Sequence, residues 1–311
     1  MSPARFPRRA PGRLAVFVGG VLLLATPTRA LAQACCAAPS LVIPSRLQRH
    51  ESFGAGLQLR GRGTFGAFGA DGAYASSSYG DVEAAQELFA SARFLSRAQV
   101  ALLVPFIETR RRAMGLSEVG GGLGDLRLAG HVELTRAGER AYVPGLALLL
   151  GATLPTGTPS DRATGDLQAD TTGTGAFEGS AGLEVDQRFE RAFVTVAAAV
   201  GQRAPREALG VRQSFSPRFT GLVSGGVVLD GDVALGAFAT GLAQGPARDR
   251  AGVEIPDSAL ALVTAGLAAT FPAGDAWRGQ ATASVDMPVS GWGRNHPTGA
   301  GLAVSMLRLW P

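Results

Sequence analysis

Charged and apolar residues alternate along several stretches of this chain, and the charged positions are the ones whose chemistry needs explaining. In LRLAGHVEL, residues 126–134, Arg127, His131 and Glu133 share one face, because successive side chains of an extended chain point to opposite sides. A histidine near a carboxylate can serve as a base, form a structural pair or line a wet path. The same alternation predicts ten residues on one polar face: Arg60, Arg93, Arg127, His131, Glu133, Glu178, Glu184, Asp186, Arg278 and Asp286.

Enzymatic chemistry has little support in these residues. Nucleophilic catalysis needs a nucleophile beside a base, and the three histidines, His50, His131 and His296, accompany no G-x-S-x-G motif. No pair of histidines has metal-ligand spacing. The run GGGLGD enters a predicted strand and not a helix, so it predicts no phosphate site. We therefore predict no enzyme, no metal and no cofactor; the mixed charges either pair with each other or flank a wet path and set its ion preference.

The first 34 residues read as a secretory signal peptide, with four early arginines, the apolar core LAVFVGGVLLLA and the small residues Ala30 and Ala32 before the cut. These 34 residues carry five arginines in all, so the net charge of the chain falls from +4 to near −1 on cleavage. A nucleic-acid partner loses its support. Cys35 and Cys36 are adjacent and too few for a disulfide framework. Residues 35–51 then form a short periplasmic tail, too short for a full plug domain, before a barrel over 52–311.

The alternation recurs often enough to count strands. WRGQATASVDM has Trp277 and Val285 on one side and Arg278 and Asp286 on the other, and the pattern alone does not say which side faces the interior. Counted this way, the chain contains twelve candidate strands, at residues 53–61, 85–95, 98–108, 126–134, 143–155, 177–186, 191–203, 214–229, 232–245, 258–271, 277–287 and 299–310.

The connections between these candidate strands alternate strictly between short and long. The short ones span 96–97, 135–141, 188–190, 230–231 and 272–276; the long ones span 62–84, 109–121, 156–172, 204–213, 246–257 and 291–298. This parity is typical of an all-β, up-and-down antiparallel transmembrane barrel in the outer membrane of a Gram-negative bacterium, with long external loops and short periplasmic turns. A secreted β-sandwich is the alternative, but it gives no reason for the parity.

Aromatic residues and the C-terminal segment agree with a membrane location. Phe94, Tyr142, Phe189, Phe271, Trp277 and Trp310 fall at the predicted periplasmic boundary, as an interfacial girdle requires. GLAVSMLRLWP resembles the terminal strand that the barrel-assembly machinery recognises. Arg308 then falls on the lipid side, where it is tolerated if its guanidinium reaches the boundary.

Three further stretches carry a family resemblance: LLVPFIETRRR (102–112), GGLGDLRL (121–128) and LALLLGATLPTGTPS (146–160). In this order they resemble outer-membrane proteins associated with meta-pathway phenol degradation, described as putative transporters. The resemblance is good over residues 85–187 and implies an outer-membrane barrel that admits small hydrophobic compounds. From the residues alone, Gly122, Gly124 and Gly157 would permit positive φ where strands meet loops, Asp125 would bond its own turn, and Pro105 and Pro155 would lie near strand ends.

The resulting hypothesis is a porin-like outer-membrane channel for passive passage of small hydrophobic or amphipathic solutes. Its expected partners are outer-membrane lipids, the barrel-assembly machinery and a small hydrophobic solute. Two alternatives stay open. The first is a closed structural barrel whose loops interact with other surfaces, and the second is an outer-membrane lipid-modifying or proteolytic enzyme.

Overall fold

The computed structural model describes residues 46–76, 80–113, 115–137 and 143–311. The predicted signal peptide, Cys35, Cys36 and Tyr142 lie outside them. Among the described residues, no helix has the length and apolar character needed to cross a membrane. The strands are β1 (Phe53–Phe68), β2 (Tyr74–Ser76), β3 (Val82–Leu95), β4 (Ala98–Ala113), β5 (Leu116–Leu123), β6 (Leu126–Thr135), β7 (Gly145–Leu154), β8 (Glu178–Arg188), β9 (Ala192–Arg203), β10 (Arg206–Ala208), β11 (Val211–Gln213), β12 (Arg218–Val228), β13 (Ala234–Gln244), β14 (Leu260–Pro272), β15 (Trp277–Asp286) and β16 (His296–Trp310).

Twelve positions form the wall of a closed antiparallel barrel. The hydrogen-bonded order runs β16, β15, β14, β13, β12, β9, β8, β7, β6, β4, β3 and β1, and β1 pairs again with β16. Phe53 lies opposite Trp310 where the two ends of the barrel chain meet. Strands β5 and β6 share one wall position, because residues 98–103 of β4 pair with β6 and residues 106–113 pair with β5. The prediction of a twelve-stranded up-and-down barrel is confirmed.

The outer face of this barrel is apolar. Leu88, Leu128, Leu183, Leu267 and Leu302 are all exposed on it, and a contiguous apolar belt around a closed barrel is the surface that lipid requires. In β15 the apolar side, with Trp277 and Val285, faces outward. The barrel is therefore a transmembrane one, and the alternation seen in the sequence places its polar side inside.

Short and long connections separate at the two ends, as predicted. Turns of a few residues join β3 to β4, β8 to β9, β12 to β13 and β14 to β15 at what we call the lower end. Longer segments, including 155–177, 245–259 and 287–295, join strands at the upper end. Three predicted loops contain strands instead. The stretch 62–84 contains the end of β1, where β2 pairs with it. The stretch 109–121 is mostly a β4–β5 hairpin, and 204–213 contains the β10–β11 hairpin. The alternation of apolar and polar residues did not reveal these strands, because paired strands outside the membrane do not need an apolar face.

The lower rim carries most of the expected aromatic girdle. Phe94, Phe189 and Trp277 are exposed at the ends of their strands. Trp310 packs against Phe53 with ring centroids 5.2 Å apart. The Arg308 guanidinium lies 5.1 Å from the Trp310 ring centroid and 6.0 Å from that of Trp277. A cation over an aromatic face is electrostatically favourable, so the boundary accommodates this outward arginine, as the sequence predicted.

Inside, the lower half of the barrel is packed. Leu149 is 0% exposed and forms one cluster with Ala197 and Leu222, against which Phe238 packs. A second cluster contains Phe89, Leu103 and Leu307. The upper half is different: many inward side chains of β12–β16 there are small or polar and partly exposed, among them Thr220, Thr240, Thr264, Thr282, Ser284 and Ala303. Leu242 and Leu262 are also partly exposed there, whereas Gln244, Asp286 and Thr298 are buried. The bore is filled below and accessible to water above.

Candidate functional site

The charged inner face is the candidate site, and the structure places the ten predicted residues in three groups. Arg60, Glu178 and Asp286 lie in the upper half, each in an ion pair. Arg127 lies on β6, exposed, and has no ion pair with another described residue. The remaining six residues lie in the lower half: Arg93, His131, Glu133, Glu184, Asp186 and Arg278.

Ion pairs in the upper half join neighbouring strands. An Nη of Arg60 lies 3.1 Å from a carboxylate oxygen of Glu83 and 3.4 Å from Glu87. Arg203 and Arg218 both reach Glu178, at 2.8 and 3.2 Å. Apart from Glu87, which is buried, these side chains are partly exposed, so water screens the pairs between them and their contribution to stability is small.

Asp286, on β15 at the upper rim, contacts residues of the strands on both sides of it. Its carboxylate pairs with Arg62 and accepts hydrogen bonds from the Thr264 hydroxyl at 2.7 Å and the Gly299 amide at 2.9 Å. The predicted set of inward residues does not include Arg62, because the candidate strand ends at residue 61. The strand continues to Phe68, and Arg62 has the same parity as Arg60, so extending the alternation would have found it.

The lower half contains a carboxylate cluster that we call the clamp: Glu133, Glu184 and Asp186, with His131 beside them. Arg46 reaches all three carboxylates, at 2.8 Å from Glu133, 3.5 Å from Glu184 and 3.7 Å from Asp186. His131 Nε2 lies 3.3 Å from Glu184 Oε1. The cluster is buried, with 3% exposure for Asp186. Buried carboxylates this close need a cation, and Arg46 supplies one, with Arg136 on Glu133.

The segment that supplies Arg46 comes from the predicted periplasmic tail. Residues 46–51 lie inside the lower end of the barrel, where Leu47 is 1% exposed. Arg93 donates to the Leu47 carbonyl at 2.7 Å, and the Gln99 side chain accepts from the Leu47 amide at 3.0 Å. Arg278 pairs with Glu51. Thus Arg93 and Arg278, predicted only as inward charges, hold the tail. The sequence carries no alternation before residue 53, so nothing in the pattern indicated where the tail goes.

The motif residues meet at the interruption between β5 and β6. The Gly124 amide donates to the Pro105 carbonyl at 2.8 Å. Pro105 lies inside β4 and not near its end, but it faces the interruption, where a missing N–H is tolerated. Pro155 follows the last residue of β7, as predicted. Gly124 and Gly157 are not at positive φ, so the expected reason for these two glycines was wrong.

Close packing explains why these positions are glycine, and the hydrogen bonds of Asp125 explain how the loop is held. A Cβ on Gly157 would lie 2.7 Å from the Gly173 Cα, which no side chain permits. The Asp125 carboxylate does not bond its own turn. It accepts from the Gly157 amide at 3.0 Å and the Thr174 amide at 2.7 Å. Asp125 therefore fixes both ends of the loop 155–177. Gly122 lies in β5, at φ 157°.

Further contacts hold the same loop against β5. The Glu118 carboxylate accepts from the amides of Leu167 at 2.7 Å and Ala169 at 2.8 Å. Within the loop, the amide and hydroxyl of Thr164 both donate to Asp170, and these bonds lower the pKa of that carboxyl. The loop covers the edge of β5 for which no strand is available, because β7 ends at Leu154 opposite Leu126.

The histidines form no hydrolytic site among the described residues. His131 is 3% exposed and its carboxylate neighbours are bound to Arg46, so a substrate has no access to it. His296 Nδ1 contacts the Pro297 carbonyl at 2.7 Å, and His50 is exposed before the first strand. The arrangement favours ionic pairing along a wet wall over covalent chemistry.

No family model matches the chain, and no curated protein matches it. Among solved structures, the chain is similar to the COG4313 outer membrane channel from Pseudomonas putida F1, with a TM-score of 0.70 and 14% identity over 84% of this chain and 96% of that one. It is less similar to the translocator domain of the autotransporter NalP from Neisseria meningitidis (TM-score 0.47, 13% identity, 83% and 88% covered). The CymD monoaromatic hydrocarbon channel has a TM-score of 0.39 at 7% identity, with 84% and 89% covered. The first likeness supports the barrel fold, and the phenol-degradation resemblance remains a prediction.

Proposed function

We propose that this protein is an outer-membrane channel through which small solutes pass by diffusion, without covalent chemistry. The observation that carries the proposal is the contrast between the two faces of the upper barrel. The outer face is apolar, whereas the inner face is polar and partly exposed, with Arg60, Arg127 and Glu178 on it. A closed barrel with a wet, charged bore is suited to passage of solutes.

The proposed solutes are small and hydrophobic or amphipathic. A groove of about 640 Å³ near the upper end is lined by Phe219, Gly221, Gly241, Ala261 and Trp292. Phe219 and the two glycines have the outward parity of their strands, so the groove lies on the outer face of the wall. Apolar walls with few polar groups bind apolar ligands. Gly221 and Gly241 are paired in register on neighbouring strands, so the absence of side chains at both positions makes room for a guest.

The proposed location is the outer membrane, reached through the predicted signal peptide and assembled through β16. This strand ends with Met306, Arg308 and Trp310 on the outward face, which is the kind of segment that assembly machinery recognises. Outer-membrane lipids would then contact the apolar belt directly.

A second candidate is a closed barrel whose upper loops act as an interaction surface. The packed lower half favours it, because Leu149, Leu222 and the tail fill the bore there. Both candidates share the same fold, so the question is whether ions cross.

Planar-bilayer recording tests the proposal. We expect discrete current steps from purified, folded protein, and we expect the same protein to bind phenol in the groove. Gly241→Leu should fill the groove and weaken phenol binding. Gly61→Leu is the matched control, since a Cβ at either glycine meets nothing within 4 Å. A folded barrel that stays silent under all conditions, including after removal of the tail, would favour the closed barrel.

A further inference from the structure

The outer face of β4 changes character along its length. From the lower end upward, its outward residues are Val100, Leu102, Val104, Phe106, Glu108, Arg110 and Arg112. The first four are apolar and belong to the belt that faces lipid, whereas the last three are charged. Every one of them is exposed or partly exposed, so the strand keeps the same outward face through the change. The strand therefore leaves the hydrocarbon just above Phe106.

Aromatic side chains mark this boundary on other parts of the barrel as well. Phe177, Phe219 and Trp292 are 47%, 60% and 48% exposed, and each lies at the upper end of the barrel, as does Phe106 at 54%. Aromatic residues are enriched where a membrane protein meets the two interfaces. These four residues form an upper girdle, opposite the one at the lower rim, and they place the edge of the hydrocarbon near Phe106.

The spacing along β4 brings the two arginines to the lipid headgroups. Arg110 follows Phe106 by four residues, which is about 13 Å along a strand and about 10 Å along the membrane normal at the usual tilt. The headgroup region is about 5–8 Å thick on each side of the hydrocarbon. The backbone at Arg110 therefore lies just outside the membrane, and a long arginine side chain can extend back to the headgroups.

The outward arginines differ from the inward arginine between them. Arg111 lies 3.9 Å from the Asp81 carboxylate and donates to the Leu167 carbonyl at 2.9 Å, so it contributes to the fold of the upper end. Arg110 and Arg112 are exposed and form no ion pair with another described residue. Their guanidinium groups are therefore available to a partner outside the described chain.

Apolar neighbours indicate which kind of anion fits this surface. Arg110 lies opposite Val82 on β3 and Val119 on β5, and these valines are 55% and 61% exposed. A free phosphate ion would leave both valines in water. A phosphorylated lipid offers an anion to the guanidinium and apolar atoms to its neighbours, so it matches both parts of the surface.

We propose that Arg110 and Arg112 bind the phosphate groups of a phosphorylated glycolipid in the external leaflet of the membrane. The proposal takes the upper end as the external one, as the long connections predict, and it does not depend on conduction. A guanidinium can donate two parallel hydrogen bonds to one phosphate. The two residues are about 7 Å apart on one face of the strand, so both can contact the same headgroup. Glu108, on the same face, opposes the binding because its carboxylate has the sign of a phosphate.

Binding of lipopolysaccharide to the full-length, folded protein in detergent tests the proposal. A chelator removes divalent cations, and heat-dependent gel migration checks folding. The double variant Arg110→Gln, Arg112→Gln should weaken binding by about tenfold or more, since each basic side chain near an anionic lipid surface contributes roughly fivefold. The matched control is Arg162→Gln with Arg250→Gln, which removes the same charge from two exposed arginines of the upper loops. It should bind as the unaltered protein does, and equal losses in both double variants would overturn the assignment.

Two further arms identify the group that is bound. Lipopolysaccharide without its lipid phosphates should bind the unaltered protein as weakly as intact lipopolysaccharide binds the Arg110→Gln, Arg112→Gln protein. Equally tight binding of the dephosphorylated form would overturn the phosphate contact. Millimolar inorganic phosphate, at constant ionic strength, should displace no lipid. Displacement would indicate a site for free anions and would overturn the lipid assignment.

The carboxylate on the same face gives a test of sign. Glu108→Gln should strengthen binding in the presence of the chelator, by up to about fivefold, because one like charge is removed. Weaker binding in this variant would contradict a direct contact with phosphate. The Arg110→Gln, Arg112→Gln protein should also conduct as the unaltered protein does, so failure of the lipid surface leaves the channel proposal standing.

Discussion

The lower and upper halves of this barrel share one backbone plan but have opposite interiors. Below, large inward side chains such as Leu149, Leu222 and Phe193 are at most 2% exposed. Above, the uncharged inward positions of the same strands carry Gly, Ala and Thr, which leave the bore accessible. Alternation fixes which side chains point inward, whereas their size decides whether the interior is a core or a passage.

The charges differ between the halves in the same way. In the clamp, the carboxylate side chains are 4–9% exposed and share the guanidinium of a distant segment. In the upper half, Arg60 and Glu83 join adjacent strands and their side chains are 34% and 35% exposed. The first arrangement is costly to break because a buried charge is left without a partner, and the second is not. The comparison therefore predicts unequal effects for equivalent substitutions.

Removing a clamp carboxylate should have the largest effect. Glu133→Ala leaves Arg46 and Arg136 without this partner and should lower the free energy of unfolding by about 3–5 kcal/mol. Glu83→Ala in the upper half should lower it by about 1 kcal/mol or less. Urea unfolding of both variants in lipid vesicles gives the two values, and equal values would remove the distinction between the halves.

The apolar packing below should give the next largest difference. Leu149→Ala creates a cavity against Ala197 and Leu222, and we expect a loss of about 3 kcal/mol. Leu242→Ala, on the partly exposed upper wall, should cost about 1 kcal/mol because less apolar area returns to water. The same unfolding experiment compares them. A larger loss at Leu242 would show that the upper bore is packed as well.

The smallest effect concerns pH and the upper loop. The bonds from Thr164 lower the pKa of Asp170 below its ordinary 3.8. A carboxyl with a lowered pKa in the folded protein stabilises the loop fully above the ordinary value and loses that contribution as pH falls through the lowered one. Amide exchange at Thr164, corrected for its intrinsic pH dependence, should therefore be constant down to about pH 4 and faster below it. Unchanged protection at pH 2 would contradict the assignment.

Much of the fold was predictable because outward and inward positions obey one period. The twelve wall positions, the closure and the parity of the connections all follow from alternation, as β15 illustrates with Trp277 outside and Arg278 inside. The prediction of strand ends failed for residues that lie outside the membrane, where no apolar outer face is required. At Arg110 and Arg112 the strand continues above the membrane, so charges face outward without cost and the stretch resembles a loop.

The candidate site was predictable only in part. Parity identified His131, Glu133, Glu184 and Asp186 as inward, but a period of two says nothing about which inward residues meet across a closed barrel. Asp125 shows the same limit: its type suggested a local turn, whereas its partners, Gly157 and Thr174, lie on a distant loop.

The sequence by itself determined the faces of the strands, because lipid outside and water inside impose a pattern that neighbouring residues reveal. Only the tertiary structure decided where the segment before the first strand lies and which carboxylates hold Arg46. Those contacts join residues as far apart as Arg46 and Glu184, and they depend on the curvature that brings opposite walls within reach of one short segment.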